Sequence, residues 1–495
     1  MAETKTVKVA EGLAEGIAEA GVLAFYSLPY AAPMNREQRF RMPAPAERWS
    51  GVRNATTAGA SAPQYVRPPS DIDLWPFVGH KPDLGPDYLT LNVFAPEHAH
   101  SAPVMIFVHG GSFVCGSKDA AVYDGRAFAR DGVVCVVINY RLGIEGFLPV
   151  EGGATNLGLR DIIAALHWVQ ENIAVFGGDA TNVTLFGESA GAFCTAALMT
   201  SPLAKGLFQR AICQSGHVHL SRDLSLMQKL SKHAAKHLGV EATRDGLLSV
   251  PIERMLQTQA WMMEPSGRID MRDEDGRNPS YGLTCFLPIH GDDVLPVPAI
   301  DAFRAGQGRG ISLLVGSTLE EANIFFVPGG IRDVLDRGAA ITFLGAGLPN
   351  AEEALLAYGL DEPGAKPGYV LSTALTDLMF RAMTRRTAEW HLGNAWVYEF
   401  DWRSPALDNA FGAAHATELP FVFDTLEATR GDRGALGQRP PQALATDIHR
   451  LWIEFAKTGV APWPQFNAED RHVYSLTRRE AAYEAVLPAA AFLPS

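Results

Sequence analysis

The residues with the clearest chemical potential are Gly187–Gly191, which read Gly-Glu-Ser-Ala-Gly. They follow the apolar, strand-forming run Val183–Phe186 and precede Ala192–Met199, whose composition suits a helix. A strand, a sharp turn and a helix in this order lift a serine hydroxyl clear of a sheet, and the glycines leave room for the neighbouring elements. The pattern predicts that Ser189 is an activated nucleophile. Because so short a pattern also arises by chance, the prediction needs an oxyanion hole upstream and then an acid and a histidine downstream.

A glycine turn ahead of this serine supplies candidate oxyanion donors. Val104–Val108 is a continuous apolar run, typical of a strand buried on both faces, and His-Gly-Gly-Ser follows it at residues 109–112. Small residues let backbone N–H groups point into one cavity, where they stabilise the oxyanion of a tetrahedral intermediate. Loss of one such donor costs roughly 3–4 kcal/mol of barrier. We predict an oxyanion hole made by the N–H groups of Gly111, Ser112 and Ala190.

Candidate acids and a candidate base lie downstream. The apolar run Ile311–Gly316 predicts a buried strand, and two glutamates, Glu320 and Glu321, follow it. Aromatic residues come directly after them, so this loop is expected to be packed, and either glutamate could be the acid. Among fourteen histidines, His415 stands out because small residues surround it and an apolar segment follows it. We therefore predict that His415 is the general base that activates Ser189.

Composition argues against several classes of protein. The chain has 495 residues, 47% of them hydrophobic, and a formal charge of −13 without basic runs. This balance argues against nucleic acid and anionic membranes as partners. Five cysteines without a Cys-x-x-Cys pair do not suggest a disulfide framework, and neither a signal peptide nor a bilayer-spanning apolar run is evident. The sequence thus predicts a cytoplasmic protein whose partner is a small molecule.

Strands and helices alternate along the chain as an α/β sandwich requires. Strands are expected at 89–94, 104–108, 133–139, 183–186, 211–214, 311–316 and 395–400, and helices at 156–176, 221–239 and 446–457. No repeat or linker divides the chain, so residues 1–495 are expected to form a single domain. A largely helical insertion around 220–306 and helical segments around 350–390 interrupt the strands, and such insertions build binding pockets.

A series of ordered motifs relates the chain to a known family. They are Phe25–Ala31, Asp87–Val93, His109–Phe113, Asn139–Gly143, Asn156–Asp161, Phe176–Asp179, Gly187–Gly191 and Gln214–Gly216. Through these motifs the sequence closely resembles the type-B carboxylesterases over nearly its whole length. That family has the α/β-hydrolase fold and includes bacterial p-nitrobenzyl esterases and, more remotely, the cholinesterases. The resemblance implies a central, mostly parallel twisted sheet flanked by helices, with the helical insertion forming part of a substrate gorge.

The resemblance also implies roles for individual residues. The family's acid is a glutamate in an Asp-Glu-Gly-like loop, which points to Glu321, with Glu320 in the place of the aspartate. The family's histidine matches His415. Ser215, in Gln-Ser-Gly, and Glu188, beside the nucleophile, are expected to lie next to the reacting groups and to support them.

Two departures from the family pattern are evident. The chain has Pro-Asp-Tyr at 86–88 where the family usually has Glu-Asp-Cys before a strand. Without that cysteine the disulfide of secreted animal members cannot form, which suggests a bacterial-type enzyme. Ala322 replaces a common glycine beside Glu321.

The implied reaction is ester hydrolysis through an acyl-enzyme on Ser189, without a metal or cofactor. Related alternatives are cleavage of carbamates, amides or other xenobiotic esters by the same residues, and a non-catalytic binding protein is a more distant one. An apolar pocket would favour neutral esters. The acyl and alcohol groups stay open, as does the choice between monomer and dimer. The residues expected to line the pocket are Phe113, Phe193, Phe325 and Phe326.

Overall fold

One large sheet forms the centre of the computed structural model, which describes residues 3–65, 70–79 and 85–494. The strands in this part of the chain are β1 Glu3–Val9, β2 Gly12–Glu19, β3 Val22–Pro29, β4 Val52–Asn54, β5 Thr90–Pro96, β6 Ala102–Val108, β7 Val134–Ile138, β8 Gly178–Glu188, β9 Arg210–Gln214, β10 Arg222–Asp223, β11 Ile289–His290, β12 Ser312–Thr318, β13 Ala395–Phe400, β14 His472–Ser475 and β15 Glu480–Tyr483. The main sheet has 13 strands in the order β1-β2-β3-β5-β7-β6-β8-β9-β12-β13-β14-β15, and β4 pairs with β2.

The central strands of this sheet, from β7 through β6, β8, β9, β12 and β13 to β14, are all parallel. Antiparallel strands flank them on both sides. Parallel neighbours end at the same edge of a sheet, and ligands of such sheets bind at that edge. The segments that follow β6, β8, β12 and β13 therefore meet there, and they carry the predicted site residues.

Both faces of the sheet centre are buried. Along β6, Val104, Ile106 and Val108 pack into one hydrophobic core, whereas Met105 and Phe107 pack into a second core. Successive side chains of a strand point to opposite faces, so the two cores lie on the two sides of the sheet. This arrangement explains why the strand reads as an uninterrupted apolar run.

Helices cover these faces. In the described residues they are α1 Trp75–Val78, α2 Arg126–Arg130, α3 Gly143–Phe147, α4 Leu157–Asn172, α5 Ala190–Leu198, α6 Leu224–Leu238, α7 Arg244–Leu248, α8 Ile252–Met263, α9 Ala299–Arg304, α10 Asn323–Phe326, α11 Ile331–Val334, α12 Arg337–Gly345, α13 Ala351–Ala357, α14 Pro367–Thr376, α15 Ala382–Trp390, α16 Leu419–Val422 and α17 Gln442–Thr458. A π-helical turn, Asp377–Arg381, joins α14 to α15. None of the described helices is both long enough and apolar enough to cross a lipid bilayer.

The strand and helix predictions agree with the structure in place and type, with ends that differ by a few residues. The helix expected from residue 221 begins at Leu224, because the Asp223 side chain accepts the Ser225 N–H as an N-cap. It ends before Gly239, whose φ of 75° closes the helix. The helix expected at 156–176 is α-helical to Asn172 and continues as a 3-10 turn over Ile173–Phe176.

The antiparallel strands at the N-terminus were not predicted. β2 is rich in alanine, glutamate and glycine, which are depleted in strands, so its local preference does not indicate one. It forms because β1 pairs with it along its full length and β3 pairs with its second half. Tertiary pairing thus overrides a weak local preference at this edge of the sheet.

Candidate active site

Ser189 lies on a strained turn between β8 and α5. Its φ of 53° and ψ of −123° are unusual for a residue with a side chain, and its N–H donates to the Gln214 carbonyl at 2.9 Å. The glycines on either side are sterically required. A Cβ on Gly187 would lie 2.5 Å from the Gly191 carbonyl carbon, and a Cβ on Gly191 would lie 1.9 Å from the Val108 carbonyl oxygen. Glycine is therefore needed at both positions, because backbone segments approach each other closely at this turn.

Glu321 follows β12 and is fully buried. Its Oε2 lies 2.5 Å from Nδ1 of His415. The other oxygen, Oε1, accepts the Ser215 hydroxyl at 2.6 Å and the Thr318 N–H at 2.8 Å. These donors fix the position of the carboxylate. Ser215 thus contacts the Glu321 carboxylate directly.

Glu320, the competing acid, turns away from the histidine. Its carboxylate accepts the Ala413 N–H at 2.9 Å and lies 3.1 Å from the Arg403 guanidinium. Glu321 is therefore the member of the pair that contacts His415.

His415 is buried, and a carboxylate lies against each of its ring nitrogens. Besides the Glu321 contact at Nδ1, Oε1 of Glu188 lies 2.9 Å from Nε2. Burial opposes the charged imidazolium, but the charges of Glu188 and Glu321 together outweigh it and raise the pKa of His415 well above its ordinary value. Within the described residues no hydrogen bond joins the Ser189 hydroxyl to His415, and Oε1 of Glu188, although close to Nε2, is buried without a hydrogen-bond partner.

Two phenyl rings hold the imidazole from its sides. The ring centroids of Phe380 and Phe325 lie 5.0 and 6.0 Å from that of His415. Phe380 belongs to the π-helical turn between α14 and α15. Turns of this kind are frequent at functional sites, but no sequence signal distinguishes this one from ordinary helix.

The glycine turn after β6 packs against the nucleophile. A Cβ on Gly110 would lie 3.0 Å from the Ser189 Cβ. Gly111 and Ser112 have φ values of 111° and 56°, and in the described part of the chain no acceptor takes their N–H groups. Ala190 is the first residue of α5, where an N–H has no acceptor within the helix. Three donors thus remain available around Ser189, at the positions predicted for an oxyanion hole.

A cavity of about 110 Å³ opens between these groups. Gly111, Ser112, Glu188, Ser189 and His415 line one side of it. Most of the remaining wall is apolar, and apart from Phe325 its positions were not predicted from the sequence. The remaining wall residues are Leu74, Phe77, Val78, Cys115, Tyr123, Ile324, Phe325, Phe411, Ala416, Thr417 and Ala435.

Only one of the four phenylalanines expected to line the pocket does so. Phe325 is part of the wall. The structure places the other three elsewhere: Phe113 packs edge-on against Phe147, Phe193 against His217, and Phe326 against Phe343. All three are 3% exposed or less and belong to the hydrophobic core. Proximity in sequence to a reacting residue did not fix the direction in which these side chains point.

A third carboxylate, Glu418, lies near the other two and was not predicted. It is 1% exposed, and its Oε1 accepts the Gln214 side chain at 3.0 Å. Burial, and then the charges of Glu188 and Glu321, raise the pKa of Glu418 to about 8. It follows His415 by three residues, but nothing in the sequence distinguished it from a surface glutamate.

Comparison with known proteins gives a consistent result. A sequence model of the carboxylesterase family matches residues 3–490. The chain is 36% identical to the para-nitrobenzyl esterase of Bacillus subtilis (strain 168), over 94% of this chain and 93% of that protein. It is 33% identical to the phenmedipham hydrolase of Pseudarthrobacter oxydans, over 92% and 91% of the two chains. A solved structure of PNB esterase, 32% identical, superposes with a TM-score of 0.84 over 99% of this chain and 100% of the other. The chain therefore belongs to the carboxylesterase family, with the α/β-hydrolase fold and the ester-cleaving chemistry of a serine hydrolase.

Proposed function

We propose that Ser189, His415 and Glu321 form the catalytic triad of this carboxylesterase. The observation that carries the proposal is the convergence of three chain segments on one cavity. The strained Ser189 follows β8, and the buried Glu321 follows β12. His415 lies in the loop after β13, where it contacts Glu321 and lines the same cavity as Ser189. An ester carbonyl in this cavity would have a nucleophile on one side and unpaired N–H groups beside it.

In the proposed first step, neutral His415 takes the proton of the Ser189 hydroxyl at Nε2 while Oγ bonds to the ester carbon. Nε2, which lies beside Glu188 and has no hydrogen bond to it, must turn to the Ser189 hydroxyl when substrate is bound. The carbonyl becomes an oxyanion, which the N–H groups of Gly111, Ser112 and Ala190 stabilise. Glu321 stabilises the imidazolium through Nδ1.

To complete this first half-reaction, the imidazolium returns its proton to the leaving alkoxide as the C–O bond breaks, which leaves the acyl-enzyme. Water then enters, gives a proton to His415 and attacks the acyl carbon. Collapse of the second tetrahedral intermediate frees the acid and restores the Ser189 hydroxyl. Each proton that His415 accepts is thus returned within the same half-reaction.

The cavity supports compact, neutral esters as substrates. Its wall is largely apolar, and a buried carboxylate, Glu188, would oppose an anionic substrate. The relatives named phenmedipham hydrolase and fumonisin B1 esterase support xenobiotic substrates as a second possibility. Phenmedipham belongs in the substrate panel for this reason, together with simple amide and carbamate analogues.

A cytoplasmic location is also proposed. All five cysteines are free, and four of them are buried. Unpaired cysteines are common where the redox environment is reducing.

Substitution of Ser189 by alanine tests the proposed function. We expect S189A to lose nearly all turnover of p-nitrophenyl butyrate, by roughly 10⁴-fold or more, because the nucleophile acts as a unit with its base. A fluorophosphonate probe should label the wild-type protein and not S189A. The matched control is S225A, since Ser225 is exposed on α6. Near-normal turnover by S189A would contradict the proposal.

A further inference from the structure

Glu320 joins the loop after β12 to the loop that carries His415. Its backbone N–H donates to the Ala413 carbonyl at 2.9 Å, and its Oε2 accepts the Ala413 N–H at 2.9 Å. Ala413 thus makes two hydrogen bonds to one residue, and together they close a small ring. Glu321 is the next residue on one side of the ring, and His415 lies two residues beyond it on the other.

The ring as it stands leaves no room for a side chain at position 412. Gly412 has a φ of 62°, and a Cβ built there would lie 2.2 Å from Oε2 of Glu320. A larger residue would therefore push the carboxylate away from the Ala413 N–H. The Glu320 carboxylate thus occupies the space that a side chain at position 412 would need.

A second set of contacts supports the same loop junction. The Asn323 side chain donates to the Phe411 carbonyl at 3.0 Å, and its oxygen accepts the Arg332 guanidinium and the Ser372 hydroxyl. These contacts hold the His415 loop at Phe411, the residue before Gly412. The Ser404 N–H holds the next residue through the Gly412 carbonyl at 3.1 Å, and at Ala413 the contact is made by Glu320.

We propose that Glu320 is a positioning residue that sets the separation between the His415 and Glu321 loops. The inference rests on the catalytic roles proposed above for those two residues. A further backbone hydrogen bond crosses between the loops, from the His415 N–H to the Glu321 carbonyl, and at 3.3 Å it is longer than either bond of the ring. A displacement of about 1 Å at a reacting group can lower the rate by roughly 100-fold. The two hydrogen bonds between Glu320 and Ala413 are therefore expected to affect the alignment of His415 with Glu321 more than the binding of substrate.

The acceptor of Glu320, and not its charge, performs this role. Its ion-pair partner Arg403 has a side chain that is 56% exposed, and exposed pairs contribute little. The bond to the Ala413 N–H needs only an oxygen at the right reach. Glutamine keeps such an oxygen, whereas methionine has similar length and no comparable acceptor.

The experiment compares E320Q and E320M on p-nitrophenyl butyrate. We expect E320Q to keep kcat within about 3-fold of the wild type and E320M to lose roughly 10- to 100-fold in kcat with little change in KM. In E320M the acidic limb of the pH profile should also move to lower pH, because His415 loses part of its contact with Glu321. A general loss of stability would not shift the acidic limb of the pH profile. The matched control is E427M, since Glu427 pairs only with exposed Arg430 at 2.6 Å.

Measuring S189A in parallel separates this inference from the proposed function. If S189A is inactive and folded E320M keeps the wild-type kcat, the positioning role is overturned while the triad stands. Equal losses in E320Q and E320M would also overturn it, because charge would then be the essential property. An active S189A would overturn the proposed function. If E320M unfolds below the assay temperature, E320A measured at lower temperature gives the same comparison.

Discussion

At the scale of single residues, His415 has an environment that favours its charged form. Glu321 lies at Nδ1 and Glu188 at Nε2, and both raise the pKa of the imidazole. A general base must be neutral to accept a proton, so these two contacts differ in their effect on catalysis. In the proposed mechanism Glu321 stabilises the imidazolium during the reaction, whereas Glu188 stabilises it before the reaction begins and lies beside the nitrogen that would accept the Ser189 proton.

Replacement of Glu188 by glutamine tests this difference. The wild type is expected to lose activity as pH falls through the pKa of His415, because the imidazolium cannot accept a proton. E188Q removes one of the two negative charges, so the pKa of His415 falls and the acidic limb of the kcat/KM profile moves to lower pH. The profile measured with p-nitrophenyl butyrate checks this. The surface variant E427Q is the control, and a limb that stays in place or moves upward in E188Q contradicts the prediction.

The sequence predicts part of this environment. Ser189 and His415 could be chosen from local context, since each lies in a segment with distinctive small or apolar neighbours. The choice between Glu320 and Glu321 required a family resemblance, because adjacent carboxylates in a loop have the same local pattern. The contact between Glu188 and His415 depends on how two side chains turn across a cavity, and no residue spacing encodes that.

At the scale of secondary-structure elements, the turn between β8 and α5 depends on the distance between backbones. Gly191 lies against the Val108 carbonyl at the end of β6, and that oxygen belongs to a rigid strand. Alanine is a better helix former than glycine by about 0.8–1.0 kcal/mol. Overpacking a well-filled site costs about 1–3 kcal/mol, and a backbone carbonyl cannot move aside as a side chain can.

We therefore expect G191A to be less stable than the wild type by about 2 kcal/mol, which is the upper end of the overpacking cost, about 3 kcal/mol, less the gain in helix preference of about 1 kcal/mol. It should also lose most of its activity, because the turn that presents Ser189 shifts. Denaturant unfolding and kcat for p-nitrophenyl butyrate are the measurements. Gly310 has open space where a Cβ would lie, so G310A should change the free energy of unfolding by less than about 0.5 kcal/mol. An equally stable and active G191A would contradict the steric explanation.

Elements differed in how well the sequence predicted them. The parallel strands β6 and β7 are apolar throughout, and β12 is apolar over Leu313–Val315, because both faces of these strands are covered, so composition alone indicates them. The edge strands β1 and β2 carry alternating or weakly strand-forming residues, and they exist through pairing that only the folded chain supplies. The π-helical turn that places Phe380 beside His415 likewise has no local signature.

At the scale of the whole molecule, a buried ionic network ties the C-terminal part of the chain to the centre of the sheet. Glu484 accepts from Arg385 at 2.8 and 2.9 Å, and Arg385 also donates to the Ser317 hydroxyl in β12 at 2.8 Å. Arg385 is fully buried and also pairs with Glu399 in β13. The segment after β15 is therefore connected through one side chain to the strand that leads to Glu321.

Removal of the Glu484 charge should destabilise the fold. Burial alone would raise the pKa of Glu484, but Arg385, Arg381 and Arg471 outweigh it and lower that pKa. Its stabilising effect is thus present above the ordinary glutamate pKa and is lost as pH falls through the lowered value. We expect E484Q to lose roughly 3 kcal/mol of unfolding free energy at pH 7, with a smaller difference in acid.

Denaturant unfolding of wild type and E484Q at neutral and acidic pH measures this dependence. The matched control is E480Q, because Glu480 lies four residues earlier and pairs with Arg478 at the exposed surface. E480Q should change stability by less than about 1 kcal/mol. A difference between E484Q and wild type that grows as the pH falls would contradict the prediction.

The wall of the cavity has a consequence for how this protein can diverge. Phe77 and Val78 of α1 and Ala435 line it from segments that do not carry Ser189, Glu321 or His415. Phe325 and Ala416, in contrast, lie against or beside His415. Substrate choice can therefore diverge at the first set of wall positions with little effect on the proposed triad, whereas a change at the second set alters the pocket and the support of His415 together.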